Sequence, residues 1–289
     1  MGSNNKLSEE LINVINDLRQ GQKVKNQYFN ECDYNSEEER KLCEEIKKFI
    51  GEEIEEEGKK LVVYFETPIN PTLETIDIAN IRKKFGDEAT IVVDNTFATP
   101  ILQNPLKEGA DFVVHSCTKY IGGYGDAIGG VVVGLDSSFE AELRYGYMCE
   151  LGSVMSPFNA WLFIRGLKTL PLRMAEHQKN AKAIAAYLAD EAKVTKVCYP
   201  GFGGLVSFTI EGDEVKFVEA LELFTLGVSL GDVESLVELP FKMTHRNYDK
   251  KEIADLMIEE NLIRLSVGLE AQEDLIADLK EAFRKCQKA

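Results

Sequence analysis

In the run Val113-Val114-His115-Ser116-Cys117-Thr118-Lys119-Tyr120-Ile121-Gly122-Gly123, an apolar stretch turns polar, places one lysine and ends in glycines. Asp111 to His115 reads as a buried strand, and the glycines end any regular element. Ser116, Thr118 and Lys119 therefore fall just past the C-terminal end of a strand, where open α/β sheets bind ligands. A lysine held there partly out of water has its ammonium form disfavoured and can act as an amine nucleophile. Taken singly, a lysine is usually a surface loop residue; its company changes that reading. Asp94 lies 25 positions earlier (119 − 94) and closes another β-branched run, Thr90-Ile91-Val92-Val93-Asp94. Alone, Asp94 would cap the next helix. Two neighbouring parallel strands, one ending in Asp and one in Ser-x-Thr-Lys, would present a carboxylate, two hydroxyls and an amine at one sheet edge.

An anion for a ring nitrogen, hydroxyls for a phosphate and an amine for an aldehyde are what pyridoxal phosphate requires of a protein. At these residues a resemblance enters. Asp94-Asn95-Thr96-Phe97-Ala98-Thr99-Pro100 and His115-Ser116-Cys117-Thr118-Lys119-Tyr120 resemble the signature of the pyridoxal-phosphate enzymes of cysteine and methionine metabolism. That group includes cystathionine γ-lyases and γ-synthases, methionine γ-lyases and O-acetylhomoserine sulfhydrylases. Glu66-Thr67-Pro68-Ile69-Asn70-Pro71-Thr72, Leu167 to Met174 and Arg264-Leu265-Ser266-Val267-Gly268 extend the likeness from about Leu61 to the C-terminus; the first sixty residues do not match.

The resemblance implies an α/β fold of the aspartate-aminotransferase-like type (fold type I). A mixed or parallel sheet domain, truncated here, would be joined to a smaller C-terminal α/β domain. The expected division is a helical segment at 1–60, a cofactor-binding domain at 61–174 and the smaller domain at 175–289. It implies that Lys119 bonds the cofactor aldehyde and then moves protons, that Asp94 keeps the pyridine nitrogen protonated, and that Ser116 and Thr118 bind the phosphate. Asn70 would meet the ring 3-oxygen or the substrate carboxylate. Arg264 would grip that carboxylate with a two-toothed fork, and Ser229 would lie near the substrate. For each there is a plainer reading: loop capping for Ser116 and Thr118, an Asn-Pro turn for Asn70, a structural ion pair for Arg264. Ser229-Leu230-Gly231-Asp232-Val233-Glu234-Ser235-Leu236-Val237-Glu238-Leu239-Pro240, followed by Met243-Thr244-His245, looks most like cystathionine γ-lyases. There the glutamate at the Glu234 position would recognise the distal amine; the plainer reading is an exposed glutamate.

Composition bounds the alternatives. With 289 residues, 44% hydrophobic content, net charge −16 and pI about 4.8, the chain can bury a sizeable core and lacks the basic balance of a nucleic-acid binder. No apolar run reaches membrane-spanning length, and Met1 to Lys6 has no signal-peptide apolar region. The six cysteines (Cys32, Cys43, Cys117, Cys149, Cys198, Cys286) form no C-x-x-C pair, so no metal site is expected and a cytoplasmic, reduced protein is. Gly123-Tyr124-Gly125-Asp126-Ala127-Ile128-Gly129 puts Ile where a dinucleotide fingerprint needs its third glycine, which argues against a Rossmann oxidoreductase.

The elements needed to position these residues follow the chain. Apolar groups at Leu7, Leu11, Ile12, Val14, Ile15 and Leu18 form a helical stripe. Ser36-Glu37-Glu38-Glu39 is a capping box opening a second helix to about Glu57. Leu61 to Phe65 is a strand, Glu74 to Phe85 a helix, then the Asp94 strand, a short helix at Leu102 to Glu108, the Lys119 strand and another strand at Gly129 to Leu135. This strand-helix alternation predicts parallel βαβ units. Ser156-Pro157-Phe158 opens a long helix to Leu188, kinked or interrupted at Pro171. Strands at Gly204 to Ile210 and Leu262 to Val267, with helices at Glu214 to Leu223 and Glu273 to Lys288, build the second domain.

Relatives carry further chain before the Leu61 strand. It supplies a phosphate-binding Gly-Met pair, a ring-stacking tyrosine and a Tyr/Arg pair that reaches a neighbouring subunit. The glycines before Leu61 here are Gly2, Gly21, Gly51 and Gly58, and none precedes Met. Two functional expectations result. One is a pyridoxal-phosphate carbon–sulfur lyase of trans-sulfuration, cleaving cystathionine to cysteine, 2-oxobutanoate and ammonia, with the synthase, methionine γ-lyase and sulfhydrylase activities as alternatives. The other is a non-catalytic relative acting as scaffold or partner-binding subunit. The expected assembly is a homo-oligomer, most simply a homodimer, with residues 1–57 patching the shortened domain.

Overall fold

A computed structural model describes residues 61–135, 137–152, 154–248, 256 and 258–286. The helices expected at 7–18 and 36–57 lie outside these residues.

The β-branched runs of the N-terminal half form β1 (Val62–Glu66), β2 (Thr90–Asp94), β3 (Phe112–Ser116) and β4 (Gly130–Gly134). They lie in the order β1-β2-β3-β4, the first three parallel and β4 antiparallel to β3. Ile91, Val93 and Val113 are buried. The register sets Glu66 opposite Asp94, so both carboxylates leave the sheet at the C-terminal ends of their strands. Crossover helix α1 (Ile78–Phe85) starts four residues later than its apolar pattern suggested. Asp77 fixes that start by accepting from the Asn80 amide at 3.0 Å. Arg82 of α1 pairs with Asp111 ahead of β3. The single helix expected at 102–108 is two short ones, α2 (Thr99–Leu102) and α3 (Pro105–Glu108), each with proline in its first turn.

After α4 (Ser137–Glu142) and α5 (Met148–Leu151), the 34-residue α6 (Pro157–Asp190) opens at Ser156, whose hydroxyl accepts from the Asn159 amide at 3.3 Å. Pro171 does not interrupt it, and the helix passes position 174 unbroken. Gly166 lets α6 approach the lysine turn: a Cβ there would stand 2.2 Å from the Ile121 carbonyl oxygen and 2.7 Å from that of Gly122. Arg173, buried on the same helix, donates to the carbonyls of Tyr120 (2.6 Å), Ile121 (3.3 Å) and Gly166 (2.9 Å). These bonds satisfy backbone acceptors behind Lys119 that are shielded from water.

The second sheet runs β5 (Val194–Cys198), β6 (Leu205–Ile210), β9 (Leu262–Ser266), β8 (Leu236–Glu238), β7 (Thr225–Leu226), antiparallel except for the β7–β8 pair. Helices α7 (Glu214–Glu219) and α8 (Gln272–Cys286) pack on it. Phe208, Phe217, Leu279 and Phe283 centre this core. β6 and β9 match their apolar patterns, whereas β5 is interrupted by two consecutive polar positions, Thr195 and Lys196, and β7 and β8 are too short to carry a period-2 signal.

Candidate active site

Lys119 sits in a wide helical turn, Cys117–Ile121, that interrupts the chain directly after β3. Its backbone (φ −90°, ψ −136°) departs from helical geometry. The side chain is half-buried, and its Nζ donates to Ser229 Oγ at 3.3 Å. Burial pulls the Lys119 pKa below the ordinary lysine value, and the Arg264 charge pulls it further; Asp232 and Glu238 oppose both. The neutral amine that attacks an aldehyde is thereby favoured.

The loop at 229–233 wraps this turn. Gly231 (φ +80°) lies where a Cβ would stand 2.7 Å from the Tyr120 amide nitrogen, so only glycine fits. The Gly231 amide donates to Ser266 Oγ at 2.8 Å and the Val233 amide to the Gly123 carbonyl at 3.0 Å. Between them Asp232 is buried, with Oδ1 lacking a hydrogen-bond partner among the described residues. Burial raises its pKa and the Lys119 charge lowers it.

Arg264 projects from β9 and is 2% exposed. Its guanidinium donates to Asn70 Oδ1 (2.7 Å), to the carbonyls of Val228 (3.3 Å) and Ser229 (3.2 Å), and pairs with Glu238 Oε1 at 3.1 Å. Glu238 is fully buried directly across the β8–β9 ladder. Asn70 in turn donates its amide to Glu66 Oε1 at 2.8 Å. Burial pushes the Glu66 carboxyl up to about 7, against the Asn70 hydrogen bond, with the Asp94 charge raising it further. Asp94 ends β2 and accepts from Thr96 Oγ1 (2.6 Å), the Thr96 amide (3.0 Å) and the Tyr64 hydroxyl (3.2 Å).

A continuous chain of contacts thus runs from Asp94 through the β1–β2 ladder to Glu66, Asn70, Arg264, Ser229 and Lys119. Six of the residues singled out in sequence come together or stand beside this chain: Asn70, Asp94, Ser116, Lys119, Ser229 and Arg264. Ser116 ends β3, and its amide donates to Thr96 Oγ1 at 2.8 Å; its hydroxyl has no partner among the described residues. Thr118 lies in the lysine turn, its hydroxyl accepting from the Gly129 amide at 3.1 Å and donating to the Gly129 carbonyl at 3.3 Å. Glu234 is exposed beside the site, with its charge acting on Asp232. Tyr64, Glu66, Asp232 and Glu238 escaped sequence reasoning. Glu66 and Glu238 lie within the Glu66–Thr72 and Ser229–Pro240 runs but carry no local signal of a role, and Tyr64 is one of several apolar positions on its strand.

A family model described as "Cys/Met metabolism PLP-dependent enzyme" matches residues 26–284. The chain belongs to that family. The match begins well before Leu61, earlier than the motifs alone suggested. The cystathionine beta-lyase of Lactococcus lactis subsp. cremoris (strain MG1363) is 44% identical over 242 residues, covering 77% of this chain and 63% of that relative. The L-methionine gamma-lyase of Pseudomonas putida is 44% identical over 245 residues, covering 77% and 61%. Among solved structures, cystathionine gamma-lyase from Lactobacillus plantarum complexed with L-serine matches with a TM-score of 0.75 and 40% identity, over 78% of this chain and 64% of that one. The fold is therefore that of these pyridoxal-phosphate enzymes, as the motifs implied. The chain spans under two thirds of the length of the curated relatives it matches. Among the described residues, no helix is long and apolar enough to cross a membrane.

The residues present fit the family's cofactor. A half-buried lysine with a lowered pKa, a strand-end carboxylate held by three hydrogen bonds and a serine hydroxyl free of protein partners among the described residues are the donor set it needs.

Proposed function

We propose that this chain is a pyridoxal-phosphate-dependent carbon–sulfur lyase of the cystathionine γ-lyase type, converting cystathionine and water to cysteine, 2-oxobutanoate and ammonia. The observation that carries the proposal is the Lys119–Ser229–Arg264 arrangement, in which an amine of lowered pKa lies one serine away from a buried guanidinium. The cofactor, when bound, supplies an electron sink for the substrate Cα. The chain's own residues supply the rest. Asp94 is the carboxylate for the ring nitrogen, and Ser116 Oγ is a donor for the phosphate, with Thr118 Oγ1 a second donor once its hydroxyl turns from the Gly129 carbonyl, the Gly129 amide still donating to it. Lys119 Nζ holds the proton taken from Cα and delivers it onward, steered by the Ser229 hydroxyl. Arg264 attracts the α-carboxylate; Asn70 fixes the guanidinium plane, and Glu66 fixes Asn70. Glu234, exposed at the side of the site, is the group offered to a distal ammonium.

Purified protein supplied with pyridoxal phosphate is expected to turn yellow, and Lys119→Ala to remain colourless. Cystathionine should then release 2-oxobutanoate. A parent protein that stays colourless overturns the proposal, leaving the scaffold role. Pyruvate in place of 2-oxobutanoate moves the cleavage to the other side of sulfur, and thiol exchange without any 2-oxoacid makes the protein a synthase or sulfhydrylase.

A further inference from the structure

The loop at 229–233 meets Lys119 at both its side chain and its backbone. Ser229 Oγ accepts from Nζ at 3.3 Å, and a Cβ on Gly231 would stand 3.2 Å from the Lys119 carbonyl carbon. Asp232 follows in the same loop and is 8% exposed. A Cβ on Gly125 (φ +62°) would stand 3.1 Å from Asp232 Oδ2, and the Gly125 amide hydrogen-bonds the carboxylate. Oδ1 has no partner among the described residues. A buried carboxylate oxygen left without a donor is costly and calls for a reason. The charges around it supply one. Glu234 and Asp126 are anions that repel it, and Lys119 is the cation that acts on it. Arg173, behind Gly123, spends its donors on the carbonyls of Tyr120, Ile121 and Gly166, and Glu270 accepts from the Ser235 amide and hydroxyl.

We propose that Asp232 is a positioning residue for the Lys119 ammonium, the buried counter-charge that keeps a proton on Nζ between its uptake from the substrate Cα and its delivery onward. This role rests on the lyase function proposed above. In that reaction Nζ gains the Cα proton and one positive charge, while the electron pair left on Cα passes to the bound cofactor. The proton then leaves Nζ for the substrate, and the amine is neutral again. Burial and Arg264 favour the neutral amine, yet the same site must hold the ammonium for part of each cycle. Ser229 can direct the proton but carries no charge to offset it. Glu238 is already neutralised by Arg264 at 3.1 Å. Asp94 accepts three hydrogen bonds at the end of β2. Asp232 has Lys119 as its cation, and it opposes the burial that strips the amine of its proton.

Trace labelling with acetic anhydride, quantified lysine by lysine by mass spectrometry across pH, reads the neutral fraction of each amine in the full chain without cofactor. Asp232→Asn keeps the size of the side chain and an oxygen for the Gly125 amide, and removes the charge. Its Lys119 should label several-fold faster than the parent's near neutral pH, with the midpoint moved to lower pH and the other lysines unchanged. Should that variant fail to fold, Asp232→Gly should give the same shift. Asp126→Asn removes an exposed carboxylate of the neighbouring loop and should leave Lys119 where it was. With pyridoxal phosphate added, Asp232→Asn should turn yellow faster near neutral pH yet release 2-oxobutanoate more slowly. Lys119 labelling that is unchanged in the folded Asp232 variants overturns the inference, even where the parent is yellow and releases 2-oxobutanoate, so its failure is read apart from that of the lyase function. An equal shift in Asp126→Asn overturns it as well, because any nearby anion would then serve.

Discussion

Replacing Arg264 with leucine tests whether its first task is structural. Arg264 and Glu238 face each other across adjacent strands at 3.1 Å, with side chains 2% and 0% exposed. In Arg264→Leu the Glu238 carboxylate keeps one hydrogen bond, from the Thr244 hydroxyl at 3.3 Å. Its Oε2 already lacks a partner among the described residues. Breaking a buried pair from one side typically costs about 3–5 kcal/mol, because the remaining charge has lost both water and counterion. The cost depends on pH. Burial raises the Glu238 pKa and Arg264 lowers it, so removing Arg264 raises it further. A carboxyl with a raised folded pKa contributes stability below its ordinary pKa and loses it as pH rises through the folded value. The deficit of Arg264→Leu is therefore smallest in acid and largest above neutrality. Arg264→Leu/Glu238→Leu removes both charges and should recover most of the loss. Urea unfolding followed by circular dichroism at pH 5 and pH 8 reads all three proteins. A single variant within about 1 kcal/mol of the parent, as for an exposed pair, would refute the reasoning; so would a double variant no more stable than Arg264→Leu.

Two further predictions concern the supports of the site. Gly166→Ala puts a methyl 2.2 Å from the Ile121 carbonyl oxygen, so α6 or the lysine turn must shift. A loss of about 1–3 kcal/mol, with weaker capture of pyridoxal phosphate by Lys119, is expected; unchanged stability and binding would show that the contact is slack. Glu66→Gln keeps an acceptor for the Asn70 amide but cannot ionise. Because burial raises Glu66 to about 7, the parent loses stability between roughly pH 4.5 and 7 as pH rises, up to the order of 3 kcal/mol. Denaturation midpoints of parent and variant should diverge across that window, and parallel curves would sink the idea.

Local chemistry settled much of this protein before any contact was known. β-branched runs ending in Asp94 and in Ser116-Cys117-Thr118-Lys119 define strands and place polar groups at their C-terminal ends. Those ends are where a parallel sheet opens, so Asp94, Ser116 and Lys119 were legible. Arg264, Asn70 and Ser229 were legible through motif likeness alone, since no spacing in sequence joins residues 194 positions apart. The tertiary structure decided what surrounds them. Glu238 and Glu66 matter through register, opposite Arg264 and Asp94 respectively. Register depends on pairing with strands remote in sequence, and a slip of one residue would turn each side chain to the other face. Thr118 accepts from the Gly129 amide because the loop after the lysine folds back on it, a contact no spacing in sequence foretells. Pro171 leaves α6 a single helix, with Arg173 two residues on and Gly166 five residues before, both held against the lysine turn. A proline reads locally as a helix breaker; packing along the whole length of a helix is a property of the fold and is invisible in any window of sequence.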